Sequence, residues 1–354
     1  MLKLDILGHD DPTVIRMLED ITGVDPKTIP LDEQKVMSLF KSTEALGVTP
    51  EQINSPVGTY AVPEFGTKFV RQMLVDTKPT TFGELVRISG LSHGTDVWLN
   101  NAQTLIEEGI VTLKEAICTR DDIMIYLIQK GLDPSLAFKI MEIVRKGKAS
   151  KMLTEDLVEE MKKNDVPDWY VDSCFKIKYM FPKAHAAAYV MMAYRIAYFK
   201  VYYPEAFYAV YYTVRADNFS TDIMCVPKEK IKETIKQYEE LPKPTQTEKD
   251  VHTILEVVNE MLERGVTFLP VDIYESDATK FTVVGNGVRP PLSALTGFGT
   301  VNAVNLVKER EKGPFASKEE LMLRAKLGKA AMEILENNTC LKDMPNSMQM
   351  NLFD

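Results

Sequence analysis

The chain has 354 residues, a length that favours two or three domains over one compact core. Apolar residues make up 45% and charged residues 26%, which excludes a disordered or collagen-like chain. A net charge of −9 argues against a nucleic-acid partner, but residues 176–215 hold six basic residues and one acidic residue, a local +5 that points to a polyanionic ligand.

Apolar and polar residues alternate from Leu2 to Gly8 and predict a short strand. A lone strand cannot bury itself, so we expect that the chain begins inside a domain whose larger part is absent. From residue 11 the apolar spacing becomes helical, and the first helical run ends at Gly23. Further helices are predicted at 65–75, 82–89, 102–108, 121–130, 134–146, 154–163, 168–179 and 185–203.

The sequence from 215 to 248 is polar and contains several prolines, which places a domain boundary near Arg215. Beyond it the pattern predicts a helix at 249–264, short strands at 266–272 and 280–284, and then two helical pairs. Residues 346–354 predict an unfolded tail. The expected fold is therefore mainly α, with a helical domain followed by a small α+β domain.

The four cysteines lie far apart and form no pair with metal-site spacing, so we expect reduced thiols in a cytoplasmic protein. The most apolar stretch, 184–203, contains His185, Arg195 and Lys200. It is too polar for a membrane span, and no membrane partner is expected.

Residues 181–189 form the first candidate site. Pro182 favours a helix start, where free backbone N–H groups bind phosphate, and Lys183 adds a positive charge there. His185 and Tyr189 are four residues apart and share one helix face. This arrangement can hold a nucleotide, with its triphosphate at the helix start and its base against the ring. The competing interpretation is a buried amphipathic helix whose histidine is hydrogen-bonded in the core.

The second candidate site lies in the run 290–304, which predicts a helix, a hairpin with Gly297 and Gly299, and a second helix that begins at Thr300 or Val301. The glycines allow close backbone approach, and the N–H groups at the helix start can bind a DNA phosphate without reading sequence. Residues 326–331 predict a degenerate second hairpin. The alternative is an ordinary helical hairpin with glycine at a tight turn.

Three further features are weaker. Asp5 is a single carboxylate, whereas two-metal nucleotidyl transfer needs at least two, so the residues alone favour a solvated strand-end acid. Ser92 and His93, like Arg120, are predicted in polar loops that precede helices, and no hydrolase-type motif surrounds Ser92. A basic run at a predicted helix end comprises Arg145, Lys146 and Lys148. It either complements the helix dipole or contacts phosphate.

Together these stretches resemble the C-terminal part of PolC-type replicative DNA polymerases, the C-family alpha subunits of low-GC Gram-positive bacteria. The most specific strings are LKLDILGHDDPT at 2–13, ISGLSHGTDVW at 88–98 and KIKYMFPKAHAAAY at 176–189. Supporting strings are RIAYFK at 195–200, the hairpin at 295–299 and the tail QMNLF at 349–353. The resemblance implies a last palm strand at 1–12, helical fingers at 13–215, a duplex-binding helix-hairpin-helix domain at 216–345 and a sliding-clamp-binding tail at 346–354.

The resemblance also implies residue roles. Asp5 matches the third palm carboxylate, which would bind Mg²⁺ in a two-metal site completed by carboxylates outside this chain. Lys183, His185 and Tyr189 match the fingers helix that faces the incoming nucleotide. Weaker nucleotide contacts are implied for Ser92, His93, Arg120, Arg145, Lys146 and Lys148. Duplex contacts are implied for Gly297, Gly299, Thr300 and Val301, and clamp contacts for Gln349, Leu352 and Phe353.

By this resemblance the chain looks like part of a DNA-directed DNA polymerase. Its partners would be primer-template DNA, deoxynucleoside triphosphates, a sliding clamp and the rest of the polymerase chain, in a cytoplasmic, nucleoid-associated setting. The palm Asp-x-Asp pair, the phosphatase-like domain, the exonuclease and the N-terminal OB fold are missing, so we expect a fragment or one piece of a split polymerase, inactive alone. The alternative is a non-catalytic protein that binds DNA and tethers a clamp; an upstream reading frame with the Asp-x-Asp pair would favour the polymerase.

Overall fold

The computed structural model describes residues 8–347, which are mainly helical and include one small sheet. The helices of the first half are α1 (Asp11–Thr22), α2 (Gln34–Ser38), α3 (Pro50–Ile53), α4 (Lys68–Thr77), α5 (Phe82–His93), α6 (Gln103–Glu107), α7 (Arg120–Gln129), α8 (Pro134–Arg145), α9 (Ala149–Met152) and α10 (Glu155–Lys163). Those of the second half are α11 (Asp168–Lys176), α12 (Lys183–Tyr202), α13 (Pro204–Arg215), α14 (Thr221–Met224), α15 (Lys228–Glu239), α16 (Gln246–Glu263), α17 (Thr300–Arg310), α18 (Lys318–Arg324) and α19 (Lys329–Asn337). The prediction of a mainly α fold is confirmed.

The sheet has three short strands, β1 (Thr267–Phe268), β2 (Thr282–Val284) and β3 (Gly287–Arg289), in the order β1-β3-β2. β1 runs parallel to β3, and β2 pairs with β3 as an antiparallel hairpin in which Val283 lies opposite Val288. The two strands predicted from the alternating pattern are present but shorter than expected. β3 begins directly after the turn at Asn286 and was not predicted.

The described chain forms two compact units. The central unit is Ile29–Ala197, and the joined unit combines the N-terminal segment up to Thr28 with the chain from Tyr198 onward. The units therefore group segments that are far apart in sequence, and the boundaries predicted at residues 12, 215 and 345 stay predictions.

Local sequence explains where many helices begin. Thr81 and Glu84 form a reciprocal capping box at the start of α5, and Thr245 and Glu248 form another at the start of α16. At the other end, α1 stops at Gly23, which has a left-handed backbone (φ 72°) and donates its N–H to the Glu19 carbonyl.

Each unit has its own core. In the central unit Phe40 and Phe65 are fully buried and meet edge to face with ring centroids 5.1 Å apart, and α7 packs against α8. In the joined unit α1 packs against α13 and α15 against α16. A further apolar cluster around Phe298, Leu306 and Leu335 supports α17, α18 and α19.

Several elements differ from the sequence predictions. Ser92 and His93 are the last residues of α5, so the predicted loop at this point is wrong. The predicted helix 168–179 ends at Lys176, and α15 occupies part of the polar stretch in which no helix was predicted. The predicted strand at 2–8 lies almost entirely outside the described residues.

Candidate functional site

The segment that leads into α12 is held by two helix ends of the central unit. The Met180 N–H donates to the Arg145 carbonyl (3.3 Å), and the Arg120 N–H donates to the Phe181 carbonyl (3.2 Å). Arg120 begins α7 and Arg145 ends α8, so two basic residues far apart in sequence are anchored beside the start of α12.

Gly147 makes the close approach of the basic run possible. Its φ is +66°, and a Cβ added there would lie 2.4 Å from the Lys178 carbonyl oxygen. Nearby, the Thr95 N–H donates to the Tyr179 carbonyl (2.9 Å). Lys146 and Lys148, which flank the glycine, therefore lie next to the same segment.

Four rings form a continuous series, here called the aromatic row: His93, Phe181, His185 and Tyr189. The rings of His93 and Phe181 are stacked (4.7 Å, 23°), Phe181 meets His185 edge to face (5.2 Å, 82°), and His185 lies 4.9 Å from Tyr189. His185 and Tyr189 are half-buried rather than enclosed in the core. The row is therefore an accessible aromatic surface, and the competing interpretation of a core histidine does not fit it.

His93 is held by an acidic residue from a distant loop. Its Nε2 lies 2.5 Å from Glu64 Oε2, and this hydrogen bond raises the pKa of His93. Ser92 is turned elsewhere, since its hydroxyl donates to the Ser89 carbonyl at 3.0 Å. Sequence analysis did not identify Glu64, because no local pattern links it to a histidine 29 residues further along the chain.

Lys183 lies at the first position of α12 and is 43% exposed. Its N–H donates to Asp121 Oδ2 (2.7 Å), and its Nζ lies 3.3 Å from Asp122 Oδ1. Arg87 shares the Asp122 carboxylate at 3.7 Å. Lys183 and Arg87 therefore share the Asp122 carboxylate, while the Asp121 carboxylate accepts from the first N–H of the helix.

Lys183 and Ala187 also border a cavity of about 330 Å³ in the central unit. Residues 183 and 187 are one helical turn apart and share a face of α12. His185 and Tyr189 lie two positions further along, about 200° around the helix, so the cavity is on a different face from these two rings. Its remaining lining residues are Thr81, Phe82, Gly83, Glu84, Val86, Arg87 and Lys114.

The basic run at the end of α8 is partly neutralised within its own helix. Arg145 and Lys146 both pair with Glu142, and Lys146 Nζ lies 2.8 Å from Glu142 Oε2. These hydrogen bonds, first that from Arg145, lower the pKa of Glu142 to about 2.

The local charge of +5 overstates the positive surface of residues 176–215. Lys200 is fully buried and bonds Glu260 at 2.7 Å, and Arg215 pairs with the buried carboxylate of Asp11. Two of the six cations are therefore paired within the joined unit. The polyanion site predicted from the net charge of the whole segment is accordingly limited to the cations near Lys183.

The hairpin before α17 matches its predicted form at the second helix but not at the first. α17 begins at Thr300 as predicted, whereas a single 3-10 turn, Leu292–Ala294, stands where a helix was expected. Gly297 and Gly299 have φ of +82° and +76°, and Gly299 is the N-cap of α17. Phe298 between them is fully buried, while Val301 is 73% exposed.

This geometry anchors the hairpin through one ring and leaves the start of α17 open to solvent. The four leading N–H groups of an α-helix have no partner within the helix, so such an end accepts an anion. The predicted second hairpin corresponds to the turn between α18 and α19, where Lys326 is left-handed (φ 54°) and Gly328 is the N-cap.

Four predicted site residues fall at the chain ends. Asp5, Gln349, Leu352, Phe353 and the remainder of the predicted tail beyond residue 347 lie outside the described residues. Within residues 8–347, no group of three or more His, Cys, Asp or Glu side chains could hold a metal ion. None of the helices in that range is long and apolar enough to cross a membrane.

Two family models match the chain. Residues 11–165 match the bacterial DNA polymerase III alpha subunit finger domain, and residues 265–349 match a helix-hairpin-helix motif. The first range contains His93, Arg120 and the basic run, and the second contains the hairpin before α17.

Three curated proteins that the chain is similar to are PolC-type DNA polymerases III. The chain is 61% identical over 354 residues to the PolC-type DNA polymerase III of Caldanaerobacter subterraneus, 59% over 358 residues to that of Oceanobacillus iheyensis and 58% over 358 residues to that of Bacillus subtilis. Each alignment covers 100% of this chain but only 25%, 25% and 24% of the relative. The chain thus spans about a quarter of the length of these relatives.

Proposed function

Because this chain corresponds over its whole length to a part of the PolC-type DNA polymerase III alpha subunit, we propose that it supplies the nucleotide and duplex contacts of a replicative DNA polymerase. The observation that carries the proposal is the aromatic row at the start of α12, flanked by Lys183 and by the anchored helix ends at Arg120 and Arg145. Aromatic rings that suit a base and cations that suit phosphates thus lie at or near the start of one helix, which supports a nucleotide as the ligand.

The incoming deoxynucleoside triphosphate would bind with its phosphates at the start of α12 and its base against the aromatic row. Lys183 and the helix N-terminus favour the phosphate charge, and Arg120 adds a cation. His185 and Tyr189 offer faces for stacking. Weaker phosphate contacts are assigned to Lys146 and Lys148, because they flank the glycine that touches the same segment.

The metal chemistry would come from elsewhere in the polymerase. Two-metal nucleotidyl transfer uses Mg²⁺ ions held by several carboxylates, and the described residues offer no such group. Asp5 would contribute one carboxylate, and the others would belong to the rest of the polymerase chain. The residues described here would therefore bind and orient the nucleotide rather than hold the ions.

The duplex product would bind at the start of α17. Gly299, Thr300 and Val301 expose the backbone of the helix start, which suits phosphate contacts without base readout. The tail residues Gln349, Leu352 and Phe353 would bind the sliding clamp. In this assignment one chain couples the nucleotide, the duplex and the clamp.

The test is the substitution Lys183→Ala in a full-length PolC-type polymerase whose corresponding quarter is replaced by this chain. A charge-assisted contact contributes roughly 1.5–3 kcal/mol, so we expect the KM for deoxynucleotides to rise about tenfold or more. Lys139→Ala, at an exposed lysine of α8, is the matched control and should leave KM unchanged. Weaker binding of DNA alone, with an unaltered nucleotide KM, would refute the assignment.

The same chimaera distinguishes the polymerase proposal from the non-catalytic alternative. If the chimaeric polymerase binds primer-template DNA and the clamp but extends no primer, while the parent polymerase does, the chain is a binding protein that tethers DNA to a clamp.

A further inference from the structure

We infer that Glu64 is a positioning residue of the proposed nucleotide site: it holds His93 against Phe181 and so fixes the surface formed with His185 and Tyr189. The inference rests on the proposed function. Glu64 contacts the row through its hydrogen bond with His93, and it would act through that ring.

The Glu64 carboxylate is clamped by one turn of α5. Its Oε2 accepts from the Ser89 hydroxyl (3.1 Å) and from His93 Nε2 (2.5 Å), and residues 89 and 93 are one helical turn apart. The Glu64 side chain is only 10% exposed. A carboxylate with two donors on one helix face has little freedom to move, and it holds the His93 ring in one orientation.

The hydrogen bond to Glu64 also raises the pKa of His93. The imidazole of His93 is stacked on Phe181 with ring centroids 4.7 Å apart, so a carboxylate that fixes the orientation of the imidazole also fixes this stacking. The Phe181 ring in turn meets the His185 ring edge to face, with centroids 5.2 Å apart. A fixed orientation of His93 therefore also restricts the orientation of His185.

The backbone of Glu64 is itself held in an unusual conformation. Its φ is +67°, a left-handed value that residues other than glycine seldom adopt. The next residue, Phe65, is fully buried, and its carbonyl accepts from the Thr59 hydroxyl at 2.7 Å. Such a conformation persists only where the surrounding structure enforces it, and here it directs the carboxylate towards α5.

A purely structural role would have a different signature. If the Glu64–His93 pair only ties a loop to α5, its loss lowers the melting temperature and changes every kinetic constant through the folded fraction. If the pair positions the row, its loss raises the nucleotide KM while the affinity for primer-template DNA and the melting temperature change little.

The experiment uses the chimaeric full-length polymerase and the variants Glu64→Gln, His93→Asn and the double variant. Glutamine keeps the size of the side chain but removes the charge-assisted bond, so we expect the nucleotide KM to rise about five- to tenfold with little change in primer-template Kd. The double variant should be no worse than His93→Asn alone, because both changes remove one interaction. Glu159→Gln, at an exposed acid of α10, is the matched control.

An unchanged nucleotide KM in Glu64→Gln overturns the inference, as do effects that add fully in the double variant or that follow the melting temperature. Lys183→Ala, assayed alongside, separates this failure from that of the proposed function. If Lys183→Ala raises the nucleotide KM and Glu64→Gln does not, only the positioning role is wrong. If neither variant changes it, the nucleotide assignment of this site is wrong.

Discussion

Some charged residues of this chain stabilise the fold, whereas others lie at the candidate site. Lys200 and Glu260 are both fully buried and bonded at 2.7 Å, and the Tyr208 hydroxyl donates to the same carboxylate oxygen at 2.8 Å. Burial raises the pKa of Tyr208, which keeps its hydroxyl protonated and able to donate. Lys183, by contrast, is partly exposed at the first position of α12. Burial and partners, rather than residue type, separate the two roles.

The buried pair predicts a large loss of stability when one partner is removed. Glu260→Leu leaves Lys200 without its carboxylate in a dry interior, which costs about 3–5 kcal/mol of unfolding free energy. Urea denaturation of this chain measures the loss. Glu229→Gln, at an exposed acid of α15, should change stability by less than about 0.5 kcal/mol. The buried assignment is wrong if the two variants are equally stable.

The prediction for catalysis concerns a single residue, Asp5. In the chimaeric polymerase, Asp5→Asn should abolish primer extension with Mg²⁺, because it removes one carboxylate of a two-metal site. The affinity for primer-template DNA should stay nearly constant, since the substitution leaves the duplex contacts intact. Primer extension and fluorescence anisotropy measure the two quantities. Normal extension by the variant would remove Asp5 from the site.

At the level of elements, the hairpin before α17 is built around backbone conformation rather than side chains. Gly299 has a left-handed φ of +76°, yet a Cβ there would meet no atom within 4 Å. Space is therefore not the reason for glycine; the dihedral angle is. The buried Phe298 holds the turn from below, so that the start of α17 faces solvent.

Gly299→Val should weaken duplex binding without altering sequence preference. A β-branched residue does not tolerate this φ, so the start of α17 shifts and its N–H groups lose their contact with phosphate. We expect roughly tenfold weaker binding, ~1.4 kcal/mol, on unrelated duplexes alike, with wild-type affinity falling as salt rises.

Gly265→Val is the matched control for that experiment. Gly265 follows α16, has a similar φ of +80° and likewise has open space around its Cβ position. Its substitution likewise places a β-branched residue at a positive φ, but away from the hairpin, and should leave DNA affinity unchanged. Equal losses in both variants would mean that Gly299 affects stability only.

At the level of the whole molecule, the assigned contacts are spread along the chain. The finger-domain match begins at residue 11 and the helix-hairpin-helix match ends at residue 349, while Asp5 and Phe353 lie beyond them. The chain covers about a quarter of the length of its relatives, so the proposed polymerase activity would also need the remaining three quarters. The proposed clamp binding would depend on the tail.

Deleting residues 349–353 should abolish binding to a bacterial sliding clamp and leave duplex binding intact. Aromatic anchors that fill a partner pocket commonly contribute about 2 kcal/mol or more, and the tail offers Phe353 as such an anchor next to the apolar Leu352. Isothermal titration calorimetry with the clamp measures the loss. The control replaces only Met350 and Asn351 by alanine and should bind normally. If the deletion variant keeps its affinity, the tail assignment is wrong.

The sequence by itself determined the features that depend on neighbouring residues. Capping residues such as Thr81, the left-handed Gly23 and the helical spacing of residues 183–202 act over a few positions, so the mainly α fold and most helix starts followed from them. The strings at 2–13, 88–98 and 176–189 also indicated the resemblance to PolC-type polymerases before any contact was known.

Only the tertiary structure decided which residues meet. Glu64 contacts His93, which lies 29 positions further along the chain. The Phe181 ring contacts both His93 and His185 and so completes the row. Lys200 is buried in an ion pair with Glu260 instead of contributing to a basic surface. None of these pairings has a local signature, because the free energy of an ion pair or a ring contact depends on burial and on partners that the folded chain brings together. Composition does not distinguish Lys200 from Lys183. In the fold Lys200 is buried in an ion pair that stabilises the interior, whereas Lys183 is partly exposed at the candidate site.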